Sequence, residues 1–119
     1  MKYETTFAEL ANIYATIAKT DERIAEYKRL RNEYNRISDE LNANWTYEKS
    51  VEYCDAYDAQ EKAYRLVIRS NKKLAELMEL DKENYEDAAL LKKIDYVSDM
   101  AYFVSAIKYR AVNLARYIQ

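Results

Sequence analysis

The sequence predicts an all-α protein, an elongated antiparallel (up-down-up) three-helix bundle with coiled-coil-like packing. Three observations carry that expectation. The 119 residues include no glycine and no proline, the two strongest helix breakers. Apolar side chains recur at steps of three and four through three long segments, the spacing of one helix face. Turn-forming residues cluster in LNANWT (41–46) and LDKEN (80–84). These divide a single domain, 1–119, into helices of about 6–42, 46–79 and 84–118.

The first segment carries a seam of Leu10, Ile13, Ile17, Ile24, Tyr27, Leu30, Tyr34, Ile37 and Leu41. Thr6 with Glu9 three residues on forms a capping-box pattern at its start. Lys19-Thr20-Asp21 is a candidate interruption, because Thr and Asp favour caps over interiors; the helix is expected to continue through it. Thr46 is placed to cap the second helix. That helix repeats Tyr53, Tyr57, Gln60, Tyr64, Val67, Asn71, Leu74 and Met78 at 4-3-4-3 spacing. The tyrosine-rich stretch VEYCDAYDAQEKAY (51–64) is thereby read as a packed stripe, with Cys54 half-buried beside the seam. The third segment has a seam of Leu90, Ile94, Val97, Ala101 and Val104, widened by Met100, Phe103, Ile107 and Leu114. It is apolar over about half its circumference, more than a surface helix shows. Two neighbouring helices can absorb that arc within a monomer; a homodimer is the alternative.

Charge placement suggests how the helices meet. A hairpin turning near residue 45 brings Arg36 opposite Asp55, Lys28 and Arg29 opposite Glu61, Glu26 opposite Arg65 and Glu22 opposite Arg69. A second hairpin near residue 82 brings Lys108 opposite Asp55, Arg110 opposite Glu52, Arg116 opposite Glu48 and Asp99 opposite Arg65. The basic run Lys62, Arg65, Arg69, Lys72 and Lys73 is accordingly read as a salt-bridged surface with Glu22 and Glu26, not as a nucleic-acid stripe.

Composition narrows the function. Nineteen basic against 21 acidic side chains give a net charge of −2, which offers no field for nucleic acid or an anionic membrane. The start of the chain, MKYETTFAEL, shows no apolar signal region. The longest uncharged apolar stretch, MAYFVSAI (100–107), is too short to span a bilayer. The lone cysteine fits a reducing compartment, so the cytoplasm of a cell or of an infected host is expected. Without glycine there is no phosphate-binding loop, dinucleotide fingerprint or nucleophile elbow. Without histidine there is no zincin motif, Ser-His-Asp triad or Glu-x-x-His di-iron site. Cys54 lies beside Glu52 and Asp55, a poor setting for a thiolate. Asp95 and Asp99 with Asp55 or Asp58 offer Mg²⁺ oxygens only in a pattern ordinary on solvated helices. No catalytic, cofactor-binding or metal residue is assigned.

The expected function is that of a non-enzymatic helical protein–protein interaction module: an adaptor, or a small inhibitor of a larger complex, of the style encoded by phages and mobile elements. Tyrosine, enriched at interfaces, supplies 13 positions. The alternative is a small all-helical enzyme with a charge-lined bundle cavity, of the chorismate-mutase type, using Lys108 as its interior cation. At about 100° per residue, the face of the third helix opposite its apolar arc holds Leu91, Tyr102 and Tyr109, with Ser98, Ser105, Asn113 and Arg116 around them. Leu91, Tyr102, Tyr109 and Arg116 are the expected interface with a protein partner, a ridge with the composition of a binding hot spot.

Overall fold

The computed structural model describes residues 7–116, so the expected Thr6 cap and the end of the third segment lie outside the described residues. Those residues form helices and turns only, and the all-helical class is as the sequence predicts. α1 spans Phe7–Ala43 and α2 spans Tyr47–Leu77. α1 continues through Lys19-Thr20-Asp21, because the buried Thr20 hydroxyl donates to the Thr16 carbonyl one turn back and so stays inside the helix. Thr46 caps α2 as expected, its hydroxyl accepting from Lys49 N at 3.1 Å.

α1 and α2 form an antiparallel hairpin whose register is fixed by matched pairs along its length. The Lys49 ammonium meets Glu40 at 2.8 Å, and the Tyr34 and Tyr53 hydroxyls share a 2.7 Å hydrogen bond. Further along, the Tyr27 and Tyr64 rings lie 5.7 Å apart, and Arg23 donates to Ser70. Most other ion pairs run along one helix instead of across the hairpin. Arg29 pairs with Glu26, Arg36 with Glu33 and Glu40, and Arg65 with Glu61. This corrects the cross-hairpin pairs expected for Arg36, Glu26 and Arg29: side chains three and four apart reach each other before they reach the next helix.

α2 ends in a Schellman motif, with Leu80 N bonded to Ala75 O and Glu79 N to Glu76 O. Such an ending needs a left-handed residue, normally glycine. This chain has none, and Glu79 takes the position at φ 52°. A side chain with a Cβ costs roughly 1–2 kcal/mol there. Glu79→Gly should therefore raise stability by about 1 kcal/mol, after the added freedom of the unfolded chain is counted. A urea midpoint that stays put or falls would remove this account of the turn.

The third segment differs from the single helix expected over 84–118. It contains α3 (Tyr85–Leu91), a non-helical stretch, a 3₁₀ turn (Val97–Asp99) and α4 (Met100–Ala115). The physical reason lies in the phase of its apolar residues. On one straight helix at about 100° per residue, Leu90 and Ile94 would point roughly 100° away from Phe103, Val104, Ile107, Ala111 and Leu114. A break across the poor helix formers of DYVSD (95–99) lets both sets reach the core, where all seven are buried. Val97 and Ala101, expected in the seam, are instead exposed.

The break also reverses the chain. Asp95 O accepts from the Tyr64 hydroxyl, midway along α2, whereas Arg110 binds Asp87 near the end of α2. α4 thus runs in the direction of α2 and opposite to α1, and Lys108 meets Asp21 of α1 at 2.8 Å. Asp55, Glu52 and Glu48 are not the partners of Lys108, Arg110 and Arg116. The α3–α4 pair covers only the half of the hairpin remote from the 44–46 turn, giving a particle of 60 × 27 × 16 Å. The core lies in that half, from Leu10 to Tyr27, Ala63 to Met78 and Leu90 to Leu114. Between residues 28 and 59 the one buried side chain is Ile37, and Tyr57, Val51 and Cys54 are exposed. Cys54 is therefore not the half-buried residue expected. Where Tyr34 meets Tyr53, the shared hydrogen bond pushes the Tyr34 phenol above its ordinary range.

Candidate functional site

The site is built from the turn before α3. Asn84 caps that helix, its side-chain oxygen accepting from Asp87 N at 3.0 Å. The buried Asp87 carboxylate then reaches in two directions. One oxygen accepts from Asp81 N at 2.9 Å, closing the turn, and the other takes the Arg110 guanidinium of α4 at 2.6 Å. Side-chain exposures of 9% for Asp87 and 19% for Arg110 set this pair apart from the surface pairs of α1. It pins a seven-residue helix, too short to persist alone, against its neighbour.

Between the pinned helices runs an open groove of about 980 Å³. Its most prominent side chains are Tyr85, Tyr102 and Tyr109, exposed to 90%, 59% and 71%. Lys93 lies 4.8 Å above the Tyr102 ring, within cation–π range. Leu90, Ala106 and Leu114 provide apolar lining, and Ser105 and Asn113 provide polar groups. The arrangement offers aromatic faces, hydroxyl tips and a fixed floor.

Tyr102 and Tyr109 thus stand exposed on the same groove, with Ser105 and Asn113 beside them. The other two residues of the expected ridge are placed differently. Leu91 is half-buried and packs against the core, and Arg116 is exposed but does not line the groove. The break in the third segment separates Leu91 from the tyrosines. The same break brings in Tyr85, which on a continuous helix would lie more than four turns from Tyr102 and on another face. Lys108, the interior cation of the enzymatic alternative, is half-exposed and paired with Asp21.

No cluster of three His, Cys, Asp or Glu side chains that could hold a metal ion occurs among the described residues, and no helix there is long and apolar enough to cross a membrane. No family model, curated protein or solved structure matches this chain.

Proposed function

We propose that the chain is a non-enzymatic interaction module, an adaptor or an inhibitor of a larger complex, that receives an amphipathic helix of a protein partner in the α3–α4 groove. The observation that carries this reading is the presence of three exposed tyrosines on one groove with a pinned floor. A groove between two helices accepts a third by the same packing that builds a bundle. Tyrosine adds large contact area with few torsions to freeze, and its hydroxyl stays wet at the rim. Lys93 and Glu86 place opposite charges on the lining, so the partner helix is anchored by apolar residues more than by net charge.

Tyr102→Ala combined with Tyr109→Ala tests this directly. Both rings are largely exposed, so helicity and melting temperature should stay near wild type. Partner binding should weaken by ~2 kcal/mol or more. In practice, the protein retained by the wild type from a native lysate should be lost by the double variant. A Tyr14→Ala control, altering an exposed ring on α1, should keep it. Retention of the same protein by the folded double variant would rule the groove out as the docking face.

A further inference from the structure

A second groove lies on α1 and α2 alone, and it is lined by charge instead of aromatic rings. Lys19 and Arg23 enter it from α1, Arg69 and Lys73 from α2, and Thr16, Ala15 and Ser70 complete its walls. The sequence led to the expectation that Glu22 and Glu26 would neutralise this face. They do not. Glu26 is held by Arg29, which keeps its carboxyl below the usual range. None of the four cations has a carboxylate partner among the described residues. Glu22 and Glu76 flank the groove in sequence but are exposed and do not line it. Four unneutralised cations therefore converge on one concavity of a chain whose net charge is −2.

Arg23 is also held in position. Its Nη1 donates to the buried Ser70 hydroxyl and to Leu66 O, which fixes the guanidinium plane across the two helices. Nε and Nη2 are left as donors, the fork that matches two phosphate oxygens. The three other cations are long, exposed side chains able to close on an anion. The concavity measures about 430 Å³, the size of a small-molecule site.

We infer that this groove binds a small ligand carrying two or more linked phosphates, with Arg23 as the fixed fork and Lys19, Arg69 and Lys73 as the closing cations. A single phosphate would leave cations unmatched, whereas a linked chain of them meets charge from both helices. The site is independent of the tyrosine groove, so failure of either leaves the other standing.

Inorganic tripolyphosphate is the probe, measured by calorimetry and thermal shift on the whole chain at low salt. One-to-one binding and a raised melting temperature are expected, with affinity falling steeply as salt is added. Lys19→Gln with Lys73→Gln should weaken binding at least tenfold while circular dichroism stays unchanged. Lys62→Gln with Lys72→Gln, which removes two cations of α2 outside the groove, should change it less than twofold. Three results overturn the inference: no binding of tripolyphosphate, equal weakening by the two double variants, or orthophosphate binding as tightly as tripolyphosphate. A single-stranded oligonucleotide that binds tenfold more tightly, and is insensitive to Lys19→Gln with Lys73→Gln, would instead assign the basic face to a polymer and also overturn it.

Discussion

Asp87→Ala is expected to lower the free energy of unfolding by about 3 kcal/mol, a large effect for a substitution outside the apolar core. Two losses add. The Arg110 guanidinium, mostly covered by its surroundings, is left without its carboxylate. Asp81 N loses the acceptor that closes the turn before α3. Asp87→Asn keeps an acceptor for that amide but not the charge, so it should fall between wild type and alanine. Glu26→Ala provides the contrast: its pair with Arg29 is exposed on both sides and screened by solvent, so the urea midpoint should barely move. Urea denaturation of the three variants orders them. If Asp87→Ala costs no more than Glu26→Ala, packing of Leu90 alone holds α3 in place. Should the large cost appear, hydrogen exchange in α3 ought to rise first, because that helix has only seven residues and few other anchors. The tyrosine groove should loosen with it, which ties the stability of this pin to the proposed docking face.

Local rules were enough for the hairpin. Thr46 caps α2, and the α1 seam buries Leu10, Ile13, Ile17, Ile24, Tyr27 and Ile37 as its spacing requires. Each depends on neighbours within a turn or two. The third segment is legible only in part, because its spacing resembles one arc where the structure has two, about 100° apart. The excess apolar circumference is the trace of that phase change, and the residues of both arcs are buried within the chain. Once the helix doubles back, every pairing inferred for Lys108, Arg110 and Arg116 shifts. Tyr102 and Tyr109 stay exposed because they lie opposite the buried arc of α4 itself. Leu91 moves off the ridge because it belongs to α3. Surface charge misled for a simpler reason. Several acids and bases compete for each partner, and the pairs three or four residues apart win because they need no tertiary register. Arg69 and Lys73 were consequently left unneutralised, a feature that the charge pattern alone concealed.

Asn71→Leu is expected to stabilise the fold by about 1–2 kcal/mol, a reversal of the usual direction for a core substitution. Asn71 sits on the α2 seam between Val67 and Leu74, with no exposed surface, and neither its side-chain oxygen nor its nitrogen has a hydrogen-bond partner. A buried amide in that state carries its desolvation penalty uncompensated. Leucine branches at the same carbon and removes the penalty, at the cost of some added volume. The register of the hairpin sets Asn71 near the level of Thr20, which is also fully buried but satisfies its own hydroxyl at Thr16 O. Thr20→Val should thus gain less than Asn71→Leu. A polar side chain persists on such a seam where it discourages slipped pairings of a long hairpin, since any slip by one heptad still matches apolar to apolar. The measurement is the urea midpoint at unchanged slope, together with the mass in light scattering. A higher midpoint with a single monomeric or unchanged mass makes the amide dispensable for register. A higher midpoint with new oligomers makes it a specificity device. A lower midpoint would mean that the amide has partners in solution, and the orphaned-group account of Asn71 would be wrong.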